Sequence, residues 1–326
     1  MLTYRIAGHM IQFESEHEPL LHRMLANYHP FGAEAAPEEV PLLRISFDAE
    51  PVLPLREPCD SYPYDLAEDK ALLRTYTDRY VLEIACTDTG RRFGMECPAP
   101  GLFDRTSETE TYAGTEPGCP PDFCRLLTDR PHYIFRTGLA ADDAPAPRNI
   151  IDHMAVFAFS LAALARQTLL VHASTVICGG KAVMFLGESG TGKSTHSRLW
   201  LENIPGTELL NDDAPAVRTV SGRPVAYGTP WSGKTPCYRP VCYPVAAIIR
   251  LKQAPYNRIE RLSGISAFGA LLPSCLPTLQ RRDASLDLIC GTLSEILLTT
   301  PVYRLECLPD AEAAKLAYGT VMQAIL

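Results

Sequence analysis

One eight-residue stretch constrains this chain more than any other feature. Residues 187–194 read GESGTGKS, which satisfies the Walker A pattern G-x-x-x-x-G-K-[ST] at every position. The glycines allow backbone torsions that other residues avoid, so main-chain N–H groups can approach phosphate oxygens. We expect an apolar strand at residues 183–186 before the loop and a helix at residues 194–201 after it. The pattern therefore predicts a nucleotide phosphate site.

The chemistry of the loop indicates ATP and Mg²⁺ as ligands, with GTP or pyrophosphate left open. A lysine at the position of Lys193 supplies positive charge to the β- and γ-phosphates, and a hydroxyl at Ser194 can bind Mg²⁺. The helix that starts here adds the positive end of its dipole. The residues expected to contact the nucleotide are Gly187, Glu188, Ser189, Gly190, Thr191, Gly192, Lys193, Ser194 and Thr195.

The segment before the loop indicates an unusual sheet for a phosphate-binding domain. Two apolar runs, LLVHASTVI at residues 169–177 and KAVMFLG at residues 181–187, are separated by only a few residues. A connection this short can join only antiparallel neighbours. We therefore expect an antiparallel hairpin that leads into the loop, within a mixed sheet.

A pair of carboxylates follows the loop at a suggestive distance. Asp212 and Asp213 end a short apolar strand about 20 residues after the loop, where a metal-binding aspartate is expected to face the γ-phosphate. One carboxylate could hold Mg²⁺ while the other accepts a proton from an attacking hydroxyl. The alternative is a solvated turn, because Asn-Asp-Asp before Ala-Pro also has turn chemistry.

Two further groups of residues are candidates with open alternatives. His172 lies in the first run of the hairpin, which would bring it near the loop; otherwise it is a core histidine. Residues 228–234 form a Gly/Pro-punctuated loop that could present Trp231 and Lys234 to substrate or phosphate, together with Arg239. An ordinary turn with a packed tryptophan explains that loop equally well.

The length of the chain and a change in its sequence pattern near residue 141 indicate two domains. A chain of 326 residues exceeds the usual domain size. Residues 1–140 predict short strands joined by proline-rich connections, and this β-rich domain is a candidate for selecting the acceptor. Residues 141–148 (ADDAPAPR) predict a linker, and residues 149–326 a catalytic α/β domain with a mixed sheet. The stretch from residue 98 to residue 121 is longer than loops normally run.

Composition narrows the partners. The net charge of −8 argues against a nucleic-acid partner. The longest apolar run, residues 154–165, is too short to span a bilayer, so we expect no membrane partner. Residues 1–16 contain no basic stretch followed by a long apolar run, so we expect no signal peptide. Eleven cysteines, an odd number with no C-x-x-C pair, indicate free thiols and a cytoplasmic protein. Whether the chain forms a homo-oligomer stays open.

Taken together, the motifs resemble a known family. VHASTVICGGKAVMFLGESGTGKST followed by LLNDDAP is similar to the catalytic domain of HPr kinase/phosphorylase and of HPr-kinase-related proteins. The loop also resembles that of ATP-dependent phosphoenolpyruvate carboxykinase. The resemblance covers residues 169–251 and implies a P-loop that binds ATP, a histidine beside the γ-phosphate and an aspartate pair supplying base and metal ligand. These roles fall on residues 187–195, His172, Asp212 and Asp213.

The resemblance has limits that shape the expected activity. The E-x-R-G-x-G loop that follows the aspartates in HPr kinases is absent, so recognition of HPr and phosphorylase activity are not implied. The chain is too short for a full carboxykinase, and we expect no decarboxylation.

The expected activity is therefore an ATP- and Mg²⁺-dependent kinase that transfers the γ-phosphoryl group to a hydroxyl on a peptide, a protein serine or a small molecule. Asp212 accepts the proton, Asp213 and Ser194 hold the metal, and Lys193 and His172 act at the phosphate, with the roles of the two aspartates open to exchange. A non-catalytic nucleotide-binding module and a simple ATPase are the alternatives.

Overall fold

The structure is a computed structural model, and it describes residues 1–36, 39–47, 57–64, 70–76, 79–85, 92–98, 133–137, 148–233, 235–281 and 283–323. These residues divide into two compact units, Met1–Ala165 and Arg166–Leu326. Most of the long stretch at residues 98–121, linker residues 141–147 and Lys234 lie outside the described residues.

The first unit is built on an eight-stranded mixed sheet. Its strands are β1 (Leu2–Ile6), β2 (His9–Ser15), β3 (Leu43–Phe47), β4 (Asp60–Tyr64), β5 (Lys70–Thr75), β6 (Arg79–Ala85), β7 (Arg92–Pro98) and β8 (Tyr133–Thr137). They lie in the order β1-β2-β3-β8-β7-β6-β5-β4, and only β2–β3 and β3–β8 are parallel. Helix α1 (Glu18–Met24) follows β2. The described part of this region is therefore largely β-structure.

Helix α2 (Arg148–Ala163) belongs to a different unit from the one that the sequence predicts. The sequence assigns it to the catalytic domain, whereas the structure groups it with the first unit. The helix contacts β3, and its buried Phe157 and Phe159 lie against Tyr64 and His9 of that unit. The segment Asn149–Arg166 is also long and apolar enough to cross a membrane by length and composition, although 67% of it is buried inside the structure.

The second unit alternates strands and helices. Its strands are β9 (Thr168–Leu170), β10 (Ala173–Cys178), β11 (Lys181–Leu186), β12 (Glu208–Asn211), β13 (Ala216–Val220), β14 (Arg223–Tyr227), β15 (Cys242–Gln253), β16 (Arg258–Leu262) and β17 (Val302–Cys307). Its helices are α3 (Lys193–Asn203), α4 (Gly264–Leu271), α5 (Asp283–Thr299) and α6 (Ala311–Gln323).

The sheet of the second unit is mixed, as expected. Strand β11 pairs antiparallel with β10 and parallel with β15, which in turn pairs parallel with β17. The β10–β11 hairpin turns at Gly179 and Gly180, whose φ angles of 56° and 71° suit the tight turn that matches strand twist. Strand β12 lies on the other side of β10, antiparallel to it.

Apolar side chains cover both faces of this sheet. On one face, Phe185 of β11 packs edge-on against Trp200 of α3, in a core that includes Ala317 and Val321 of α6. On the other face, Leu186 and Ile248 line a small apolar cavity with Leu293 of α5. The sheet therefore lies between two layers of helices.

One strand is broken where the sequence predicts continuity. Residues 169–176 form parts of β9 and β10, interrupted at Val171 and His172. The reason is a change of partner: β9 pairs with β13, whereas β10 pairs with β11 and β12. At the break the His172 N–H donates to the carbonyl of Ser274, which turns the chain and places His172 at the start of β10.

Candidate functional site

Strand direction brings the sequence candidates to one edge of the sheet. Because β10 is antiparallel to both neighbours, its first residues lie beside the last residues of β11 and β12: Ala173 pairs with Leu186, and Thr175 with Asn211. The residues just beyond these ends are His172, the loop at residues 187–192 and the aspartate pair. Topology therefore assembles a site from three separate segments.

The loop at residues 187–192, called here the glycine loop, has a backbone that requires its glycines. Gly190 and Gly192 have φ angles of 82° and 101°, in the left-handed region that favours glycine. A Cβ at Gly187 would clash with the side chain of Thr191. Gln253, at the end of β15, donates to the carbonyl of Gly190 at 3.2 Å. The loop is thus anchored at its tip by the neighbouring strand.

Lys193 is the buried cation of the site, 8% exposed at the first position of α3. Its Nζ donates to the carbonyls of Gly187 at 2.9 Å and Glu188 at 3.2 Å, and lies 2.8 Å from Nε2 of His172. Burial lowers the pKa of Lys193, while the charges of the two aspartates oppose that shift and Arg250 adds to it. The ammonium therefore lies within electrostatic reach of both carboxylates.

His172 connects Lys193 to Asp213. Its Nδ1 lies 3.1 Å from Oδ1 of Asp213, and both side chains are close to half exposed, at 48% and 43%. Because an ammonium can only donate, Nε2 accepts from Lys193, so the proton of the neutral ring is on Nδ1, the nitrogen that lies beside the Asp213 carboxylate. This tautomer follows from the partners and gives a directed chain from Lys193 through His172 to Asp213.

Asp212 has a different environment from its neighbour. It is 5% exposed, and its Oδ1 accepts from the Ser174 hydroxyl at 2.7 Å. Ser174 in turn lies 2.6 Å from the hydroxyl of Ser197 on α3. The second carboxylate oxygen, Oδ2, is buried and has no hydrogen-bond partner. A buried carboxylate oxygen without a partner is costly, and it is the type of ligand that Mg²⁺ prefers.

Asn211 holds the aspartates in place, a role that sequence reasoning missed. This fully buried side chain accepts from the N–H groups of Asp213 and Ala214, both at 2.9 Å. Its amide donates to the carbonyl of Trp231 at 3.0 Å. An asparagine that bonds backbone N–H groups two and three residues ahead forms a turn, and this one also fastens the turn to the loop at residues 228–233.

The other residues predicted to contact substrate or phosphate are Trp231, Arg239 and Lys234, and the first two make contacts within the protein. Trp231 is buried, and its carbonyl accepts a hydrogen bond from the side-chain amide of Asn211. Arg239 donates to the carbonyl of Leu209 at 2.7 Å and to Glu208 at 2.6 Å, so it is engaged along β12. Lys234 is outside the described residues. Gly233, by contrast, packs against the site: a Cβ there would lie 3.3 Å from Cβ of Asp213.

Arg250 is a second cation near the glycine loop that the sequence did not single out. It pairs in register with Leu186, the last residue before the loop. Its guanidinium donates to the carbonyl of Ala270 at 3.0 Å and lies 4.0 Å from the carboxylate of Glu188. An arginine inside a long apolar strand, in IIRLK, was the available signal.

The residues present fit a magnesium–nucleotide pair. Mg²⁺ is usually held by one or two carboxylates together with substrate phosphates, so a protein-only metal cage is not required. The described residues contain no group of three or more histidine, cysteine, aspartate or glutamate side chains placed for a metal. Asp212 offers the buried Oδ2, and the exposed Ser194 sits in the first turn of α3.

Comparisons with known proteins add little to this geometry. No family model matches the chain, and no curated protein matches it. Among solved structures, the HPr(Ser) kinase/phosphatase from Coxiella burnetii matches at 13% sequence identity, across 48% of this chain and 89% of that chain, with a TM-score of 0.29. A TM-score that low carries no conclusion about function, which must come from the residues of the site.

Proposed function

We propose that the second unit is an ATP- and Mg²⁺-dependent phosphotransferase that acts on a hydroxyl acceptor, carried by a peptide or a small molecule. The observation that carries this proposal is the directed chain of Lys193, His172 and Asp213 at the glycine loop. A loop that only bound a nucleotide would need the lysine. It would not need an imidazole that links the lysine to a half-exposed carboxylate.

Burial favours the reverse of the aspartate roles expected from the sequence. An acceptor hydroxyl must reach the base from solvent, and Asp213 is 43% exposed whereas Asp212 is 5% exposed. A small hard cation can use the buried Oδ2 of Asp212. We therefore assign the base to Asp213 and the metal ligand to Asp212, with Ser194 as its companion.

In this mechanism, each residue acts on charge or on a proton. Asp213 takes the proton of the acceptor hydroxyl, and the oxygen of that hydroxyl forms a bond to the γ-phosphorus. At the same time, the bond between the γ-phosphorus and the β–γ bridging oxygen breaks, and ADP leaves. His172 orients Asp213 through Nδ1–H. Lys193 exchanges a loop carbonyl for a phosphate oxygen and stabilises the charge that develops there. Mg²⁺, when bound, neutralises phosphate charge.

The test follows the terminal phosphate of labelled ATP with Mg²⁺ and a pool of hydroxyl-bearing peptides and metabolites, separated by size. Wild type should label one acceptor fraction. The Asp213→Asn variant should no longer transfer label to the acceptor, yet it should keep Mg²⁺-dependent ATP binding. The Asp212→Asn variant should need a higher Mg²⁺ concentration to reach half-maximal transfer. Asp310→Asn is a matched control, because Asp310 caps α6 through the N–H of Ala313 and asparagine caps equally well.

Two results would overturn the proposal. Release of the label as free phosphate in every acceptor mixture would make the protein an ATPase. Binding of ATP with all label retained in ATP, across both peptides and metabolites, would leave a non-catalytic nucleotide module.

A further inference from the structure

Two buried serines link the helix that begins at the glycine loop to Asp212. Ser174 lies on β10 and Ser197 on α3, and they are 0% and 1% exposed. Their hydroxyl oxygens are 2.6 Å apart, and Ser174 lies 2.7 Å from Oδ1 of Asp212. Three elements of the second unit thus meet in one short polar row, defined here as the serine relay: Ser197, Ser174 and Asp212.

The direction of hydrogen bonding along the relay follows from the donors available. A serine hydroxyl has one proton, and an ionised carboxylate only accepts. Since Ser174 donates its proton to Asp212, the proton between the two serines must come from Ser197. The relay therefore runs from α3 to β10 to the carboxylate, and it leaves Oδ2 of Asp212 as the oxygen without a partner.

The position of Ser197 on α3 ties the relay to the glycine loop. Ser197 follows Lys193 by four residues, so the two side chains lie on the same face of the helix, one turn apart. Lys193 contacts the loop carbonyls while Ser197 contacts Ser174. One rigid turn of helix thus sets the separation between the phosphate-binding lysine and the carboxylate.

We infer that Ser174 and Ser197 are positioning residues that hold Asp212 at a fixed place relative to the glycine loop, so that its buried Oδ2 is preorganised to bind Mg²⁺ with the nucleotide. The inference rests on the proposed function and extends it to residues that touch neither metal nor phosphate. Groups that orient a metal ligand commonly change metal affinity by about 10–100-fold when removed.

The test measures ATP binding by the full chain over a range of Mg²⁺ concentrations and again with a chelator. Ser174→Ala should raise the half-saturating Mg²⁺ concentration about 10-fold. ATP affinity without metal should stay unchanged, which also shows that the variant folds. Ser197→Ala should have a smaller effect, since it acts through Ser174. The double variant should match Ser174→Ala, because the second hydroxyl has nothing left to orient.

Thr175→Val is the matched control. Thr175 is next to Ser174 on β10 and is equally buried, but its hydroxyl has no hydrogen-bond partner and alternation on the strand points it to the opposite face. Its Mg²⁺ response should equal that of wild type.

The outcomes separate this inference from the proposed function. A Ser174→Ala response within about twofold of wild type, or additive effects in the double variant, would overturn the relay while leaving Mg²⁺-dependent ATP binding intact. A wild-type chain that binds no ATP at any Mg²⁺ concentration would overturn the proposed function, and the relay with it.

Discussion

The two units of this chain differ in the polar side chains that they bury among the described residues. Among the described residues, the buried polar side chains of the first unit are amides, hydroxyls and an imidazole: His9, Gln12, Asn27, Thr75 and Ser160. The second unit buries Lys193, Asp212 and Glu306. Burying a charge costs several kcal/mol unless it is paired, so a fold keeps such a group only where a partner or a ligand compensates it.

The two buried carboxylates among these, Glu306 and Asp212, are not equivalent. Glu306 is compensated by Lys252 at 2.8 Å and by Tyr256 at 3.3 Å, and the bond from Lys252 lowers the pKa of that carboxyl. Asp212, by contrast, keeps one oxygen without a partner. Incomplete compensation of a buried charge, and not burial alone, is what distinguishes the site from the rest of the core.

Lys193→Ala should give the largest effect in the second unit. Removing a single electrostatic contact at a developing charge costs about 3–4 kcal/mol, which is about 10²–10³-fold in turnover. Lys181→Ala, at the opposite end of β11, is the matched control and should keep full turnover. Turnover of Lys193→Ala close to wild type in the labelled-phosphate assay would contradict the assignment.

His196 predicts an acid instability that belongs to the second unit. Burial lowers its pKa from 6.5 to about 4, so the unfolded chain binds the extra proton between those values. The contribution of the neutral His196 to the free energy of unfolding is therefore fully present above about pH 6.5. It falls by about 3 kcal/mol as the pH drops to 4. Urea unfolding at pH 7 and pH 4 checks this: His196→Leu should lose less stability than wild type. Equal losses would rule it out.

The Arg250→Met variant tests whether a charge beside the glycine loop affects ATP affinity more than a charge on the surface does. Arg250 lies 4.0 Å from Glu188 of the glycine loop, and we expect its guanidinium to bind a nucleotide phosphate there. A hydrogen bond to a charged group contributes about 1.5–3 kcal/mol, so ATP affinity should fall about 10-fold or more. Glu188→Gln should raise the affinity, because it removes a negative charge from the loop. Arg304→Met is the control: Arg304 pairs in register with Arg250 on β17 but bonds to Glu260 at 2.9 Å. Equal affinities for the two arginine variants would exclude a phosphate role.

Asn27→Ala should have the smallest effect on the nucleotide site, because its effect is confined to the stability of the first unit. The Asn27 amide donates to the carboxylate of Asp152 at 3.0 Å, and losing a bond to a charged group costs about 1.5–3 kcal/mol of stability. Thermal unfolding measures the loss, and ATP affinity should not change. A matching drop in ATP affinity would break the contrast between the two units.

Local signals were read correctly where neighbours in sequence are also neighbours in space. The hairpin follows from two apolar runs and a short glycine turn, and β3, β6 and β17 follow from alternating or β-rich runs. The eight cysteines among the described residues are free. The glycine loop is such a local signal as well, because its spacing alone dictates its backbone.

What only the tertiary structure decided is the partnership of residues distant in sequence. The sequence by itself determined that a glycine-rich loop with the Walker A pattern, a histidine and two aspartates exist, since each is encoded in a short stretch. Which aspartate is buried, that Ser174 and Ser197 reach it, and that Arg250 rather than Arg239 lies by the loop depend on strand order and register. These are set by the packing of helices on both faces of the sheet, and no single stretch records them.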